Sequence, residues 1–160
     1  MQRIRVSDDF FLDEFIPPEM YLRFGALSMQ WLRPEVVKSS QILRNIFGPS
    51  VINNWSQGGK VSAEEFLKYP IEVQEQFYTE SGIRLPGTQT GATFSMHKYG
   101  CAADQKFKNA DPDTVRKFIK SNYHKTFKSA GITRLEAHTP TWVHHDCANT
   151  GSKELIVFNP

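Results

Sequence analysis

Helix punctuation and strand-rich runs occupy different parts of this chain instead of alternating along it, and that segregation does most to limit the folds open to it. The run PEVVKSSQILRNIFG opens with Pro34, whose fixed φ and missing N–H suit a first helical position, and closes at Gly48-Pro49. Val36, Leu43 and Phe47 recur near helical spacing as its core stripe. A second helix is predicted after Asp111, with Pro112 at its first position, Gly131 past its end, and Val115, Phe118, Ile119, Tyr123 and Phe127 as the buried stripe. Three β-rich runs, ITRLEAH, TWVHHDC and ELIVF, follow only after that helix. Helices first and mostly antiparallel strands last predict an α+β domain: a helical N-terminal half and a small, mainly antiparallel sheet. With 160 residues and 39% apolar content, the chain is one domain of ordinary size.

The intervening segments are shorter signals. A Phe10/Phe11/Phe15 cluster before Pro17-Pro18 predicts an element packed on the first helix, and VINNW reads as a short strand. Ser62 and Glu65 have capping-box spacing, so a helix is predicted there, broken at Pro70 and resumed over IEVQEQFY. The segment LPGTQTGAT reads as a loop.

Nineteen basic against seventeen acidic residues give a net charge of +2, and the basic residues are scattered, so nothing calls for nucleic acid. No apolar run approaches membrane-spanning length, and the acidic N-terminus MQRIRVSDDFFLDEF lacks the apolar stretch of a signal peptide. The expectation is a monomer made in the cytoplasm, without membrane insertion and without an export signal of its own. Cys101 and Cys147 are too few for a disulfide framework and lack the paired spacing of a structural zinc site. Both read as small buried residues, with one disulfide open to them.

The chemistry concentrates in Ser95-Met-His97-Lys-Tyr-Gly100-Cys-Ala102-Ala-Asp104 and in Trp142-Val-His144-His-Asp146. Two imidazoles and a carboxylate are a mixed N/O set of three, which suits a catalytic zinc with one position left open. Gly100 lets the chain turn tightly so that His97 and Asp104 can return to one ion. Taken singly, each of these residues is equally an ordinary hydrogen-bonded polar group.

The pattern Ser-x-His-x-x-Gly-x-Ala-x-Asp, completed by Trp-x-His-x-Asp, resembles the zinc D-Ala-D-Ala peptidase family, which includes D,D-carboxypeptidases, dipeptidases and phage endolysins and shares its metal site with the hedgehog signalling domain. Ser81-Gly82-Ile83-Arg84 resembles that family's Ser-Gly-aromatic-Arg element, and the match spans about residues 81–158. The resemblance implies a phage-encoded zinc (Zn2+) metallopeptidase, of carboxypeptidase or endopeptidase type, that hydrolyses peptidoglycan peptides and acts at the cell wall after release or as a virion component. It implies His97, Asp104 and His144 as ligands and Arg84 as the grip on a substrate carboxylate, a role its planar fork suits; the plain alternative is a surface salt bridge. Ser95 and Asp146 become outer partners of the ligands, or ordinary turn residues. The alternative from another class is a metal-bearing, non-catalytic wall-binding or virion module. It is favoured by Thr141, where some relatives have an acid, and by the insertion-like run 61–80, which could cover the cleft.

The general base has to come from elsewhere. A three-residue hairpin loop at Thr139-Pro140-Thr141 would set His138 opposite Trp142, Glu136 opposite His144 and Arg134 opposite Asp146. Glu136 would then share a face with the ligand imidazole and could take a proton from the attacking water, whereas a two-residue loop would send it to the other face. His138, on the Glu136 face, is a candidate donor to the reacting carbonyl oxygen. Strand alternation sends His145 away from His144.

Overall fold

The computed structural model describes residues 2–159, which form one α+β domain. The predicted first helix is α2 (Pro34–Phe47), preceded by α1 (Pro18–Phe24) and a 3-10 turn over Gly25–Trp31. Gly48 closes α2 with φ 84°, donating its N–H to the Arg44 carbonyl. The capping box forms as expected, Ser62 accepting from the Glu65 N–H, but it starts only the short α3 (Ala63–Phe66), followed by α4 (Ile71–Gln74).

The second predicted helix starts where expected, with Asp111 accepting from the Thr114 N–H at the head of α5 (Pro112–Ser121). It is not continuous. The chain widens into a π turn over Tyr123–Phe127 and ends in α6 (Lys128–Ala130), with Gly131 at φ 96°. The extra residue per turn keeps Tyr123 and Phe127 buried with Val115 and Ile119 in one cluster.

Five strands form one sheet in the order β1 (Ser50–Val51), β2 (Ala102–Phe107), β4 (Val143–Asp146), β3 (Arg134–Glu136) and β5 (Ile156–Phe158). All pairs are antiparallel except β3 with β5. VINNW contributes only its first residue to β1.

Strand alternation gives the sheet two faces. Ala103, Gln105, Leu135, Val143 and His145 are buried toward the helices: Leu135 and Val143 pack with Leu43, Val115 and Ile119, while Ala103 joins Phe15, Val36 and Ile83. Asp104, Arg134, Glu136, His144 and Asp146 take the opposite face. No helix among the described residues is long and apolar enough to cross a membrane.

Candidate metal centre

His97 sits on a single 3-10 turn, Met96–Tyr99, directly before β2. The turn ends at Gly100 in the left-handed region (φ 65°), and a Cβ there would lie 1.8 Å from the Trp31 carbonyl oxygen. Only glycine satisfies both conditions. Gly82 is equally constrained, since a Cβ would meet the Phe15 carbonyl oxygen at 2.1 Å. That close approach fixes the Gly82 carbonyl, which accepts from His97 Nδ1 at 2.6 Å and so leaves His97 Nε2 as the free lone pair.

Asp104 and His144 are cross-strand partners on β2 and β4. His97 Nε2, Asp104 Oδ1 and His144 Nδ1 form a triangle with sides of 3.2 Å (His97–His144), 3.3 Å (His97–Asp104) and 2.7 Å (His144–Asp104). A tetrahedral ion with bonds of about 2.0–2.2 Å separates its ligands by roughly 3.3–3.6 Å, so two sides already fit and the third needs to open by less than about 1 Å. The three residues could therefore hold a metal ion.

Each ligand atom is backed by a partner on its far side. Gly82 orients His97. Asp146 Oδ2 lies 3.3 Å from His144 Nε2 and is gripped in turn by Arg134 at 2.7 Å. Asp104 Oδ2 accepts from Arg84 Nη2 at 3.0 Å, which leaves Oδ1 to face the cleft. Outer groups of this kind fix imidazole tautomer and carboxylate orientation at metal sites.

The electrostatics favour positive charge at this point. Burial opposes protonation of His144, but hydrogen bonds to Asp104 and Asp146 outweigh it and hold His144 up to about 9. Burial likewise opposes ionisation of Asp104, yet the hydrogen bonds of His144 and His97 hold its carboxyl well below the usual carboxylate range. Burial pushes His97 down, which keeps it neutral as a ligand must be. The imidazolium of His144 occupies the electrostatic role that a cation would take.

The triad opens on a cleft of about 380 Å³ that is also lined by Arg84, Glu136 and Trp142. The hairpin register is the expected one, Arg134 opposite Asp146 and Leu135 opposite His145. Glu136 Oε2 stands 4.0 Å from His144 Nδ1, and burial raises its carboxyl. The three-residue loop is not what forms: the ladder ends at the Leu135–His145 pair, and residues 137–142 lie outside both strands. Arg116 of α5 braces this segment: it donates to the Thr139 hydroxyl at 2.6 Å and to the Trp142 carbonyl at 3.3 Å. His138 is carried out with the loop, exposed beside Asp111, Asp113 and Arg116, and does not line the cleft.

Arg84 lines the cleft but is already engaged. Its Nε donates to the Glu80 carbonyl at 2.9 Å and its Nη2 to Asp104, with Nη1 lodged beside Gly91. Ser95 lies on the cleft wall. His145 points away, as alternation requires, its ring nitrogens 3.3 and 3.5 Å from the hydroxyls of Ser39 and Ser40. Cys101 and Cys147 are free thiols and neither belongs to the metal triad. None of residues 61–80 lines the cleft, so that run is not a cover over it.

Two aromatic side chains of the cleft carry no mark in the sequence as site residues. Phe158 sets its ring at 89° to His144 with centroids 5.9 Å apart, and Phe94 stands 76% exposed on the wall. Phe158 arrives through the parallel pairing of β5, which places it beside Glu136. Nothing local in ELIVF signals that neighbour. No family model, curated protein or solved structure matches the chain.

Proposed function

We propose that this cleft is the active site of a zinc peptidase acting on peptidoglycan peptides, with His97, Asp104 and His144 as the ligands. The observation that carries the reading is the convergence of the three ligand atoms within 3.3 Å of one another beside a glutamate that is not itself a ligand. A structural site would close its fourth position with another protein group, whereas here that side faces the cleft. The D-amino-acid peptide substrate rests on the resemblance of the two motifs.

A zinc ion held there would polarise the scissile carbonyl and lower the pKa of an attacking water towards ~7. The chain's own residues supply the rest. Glu136, partly buried and with a raised pKa, accepts the proton of a water entering the cleft and passes it to the leaving amine. Arg84 holds Asp104 in place and keeps Nη1 for a substrate oxygen. Asp146 and Arg134 lock the His144 ring. With His138 outside the cleft, Arg84 Nη1 becomes the candidate donor to a developing oxyanion.

The pairing of Arg84 with Asp104 also favours a second reading, a metal-bearing binding module in which the arginine is structural. One experiment separates the two: metal analysis of the purified protein, then mass spectrometry of purified peptidoglycan digested with it. About one zinc per chain and new amino and carboxyl termini in the stems support the enzyme. Zinc without new termini leaves the binding module, and absence of stoichiometric zinc ends both readings.

A further inference from the structure

A second cavity, of about 610 Å³, adjoins the metal cleft and is built for a different task. Arg84 borders both, and the ligand-bearing 3-10 turn divides them: Met96 and His97 face the cleft, Lys98 and Tyr99 the second cavity. Its other cations are Arg23 and Arg33, and no acidic residue lines it. In a chain with nineteen basic and seventeen acidic residues, a wall with four cations and no acid departs from the general balance.

These charges also lack acidic partners. Arg84 pairs with Asp104, but among the described residues Arg23, Arg33 and Lys98 have no carboxylate within ion-pair distance, although the Arg23 guanidinium lies over the Phe24 ring, 5.0 Å from its centroid. Between them stands an aromatic wall: Phe24 and Trp31 with centroids 4.9 Å apart, and Tyr99, with Trp31 41% and Tyr99 53% exposed. The wall is fixed in place, since the Arg33 N–H donates to the Gly100 carbonyl at 3.1 Å and Gly100 packs against the Trp31 backbone. A preformed pocket of that kind binds without first ordering its own loops.

We infer that this cavity is a subsite for the carboxylate-bearing part of the substrate beyond the scissile bond, with Arg23, Arg33 and Lys98 meeting the carboxylates and Trp31 and Tyr99 packing on the apolar faces between them. The inference rests on the peptidase reading of the neighbouring cleft. Peptidoglycan stems carry free carboxylates along their length, and two guanidinium forks plus an ammonium provide the donors such groups need. The same cations would also meet phosphate, so the test includes a phosphate polymer.

Binding is measured by calorimetry on the zinc-loaded Glu136→Gln protein, which should not turn over its ligand. The probes are a soluble stem pentapeptide with free carboxylates, the same peptide with its carboxylates amidated, and a poly(glycerol phosphate) oligomer. The R23Q/R33Q/K98Q protein should bind the free-carboxylate peptide roughly tenfold or more weakly with zinc content unchanged, and the amidated peptide should be weak on both proteins. Arg33→Gln alone, as a milder variant, should show part of the loss. Equal binding by parent and triple variant overturns the subsite, as does failure of the parent to bind the peptide at all. Tight, triple-dependent binding of the phosphate oligomer in place of the peptide overturns the carboxylate assignment. If wild-type protein cuts no peptidoglycan while the peptide still binds through the three cations, the cavity stands as a carboxylate-binding site and the peptidase reading falls.

Discussion

His144 and His145 are consecutive residues on one strand, both buried, and their environments drive them in opposite directions. His144 faces Asp104 and Asp146, and its protonated form is held up to about 9; His145 lies between Ser39, Ser40 and the helix-side core, where burial pushes it down to about 4. Burial opposes charge at both positions, so what separates them is two carboxylates against two hydroxyls. One face of the sheet is arranged to hold positive charge and the other to exclude it. The alternation of a single strand is enough to divide a charged cleft surface from a packed one.

The largest expected effect separates the two faces outright. His97→Ala or His144→Ala should abolish metal retention and all peptidoglycan cleavage, while His145→Gln should keep about one zinc per chain; metal analysis after dialysis reads both. Stoichiometric zinc in either alanine variant would remove that residue from the ligand set. Chelation of the wild type should inactivate it, and added zinc should restore it.

Next in size is Glu136→Gln, which keeps shape and removes a proton acceptor. General-base contributions run to a factor of about 10² to 10⁴, so cleavage should fall at least a hundredfold with zinc still bound. Glu154→Gln is the control, because Glu154 is exposed and pairs with His124 outside the cleft. Near wild-type turnover by Glu136→Gln would detach the glutamate from the chemistry.

Arg134→Met probes the support of the cleft face. It leaves Asp146, whose side chain is fully buried, without its bidentate partner, and losses of about 3–5 kcal/mol are typical when one member of a buried pair is removed. A part-exposed arginine should fall at or below the low end of that range. Urea unfolding reads the change, and an unaltered midpoint would show that Asp146 is satisfied by His144 and the Ala148 N–H alone.

The effect on the helix face is confined to acid and vanishes at neutral pH. Since the folded pKa of His145 is about 4 and its ordinary value 6.5, the unfolded chain binds a proton between those values that the folded chain refuses. Its contribution to stability is therefore complete above pH 6.5 and declines as the pH falls towards 4. His145→Gln should flatten that part of the stability profile relative to wild type, and parallel profiles for the two proteins would show that His145 titrates normally.

The same contrast explains what could be read in the sequence. Alternation, the Arg134–Asp146 register and the capping of α2 and α5 are local or nearly local, and proline, glycine and aspartate mark them directly. The strand holding Asp104 was not apparent, because Ala102-Ala-Asp-Gln-Lys has little of the β-branched or aromatic character of a strand and pairs only by virtue of its neighbours. Residues 137–142 are held by Arg116, more than twenty positions upstream, which no hairpin rule includes. The break after Ser121 and the arrival of Phe158 at the cleft are likewise settled by packing against distant segments. Motif residues were legible as chemistry; their outer partners were legible only where, as with Asp146, they lay in the motif itself.

The parallel pairing of β3 with β5 has a consequence for the way the cleft can come apart. Glu136 lies opposite Phe158, and the Ala137 N–H donates to the Phe158 carbonyl at 2.8 Å. Among the described residues β5 is an edge strand paired only with β3, whereas His97, Asp104 and His144 stand on the 3-10 turn, β2 and β4. Local opening of β5 would therefore strip the wall beside Glu136 and leave the His97–Asp104–His144 triangle on its own pair of strands.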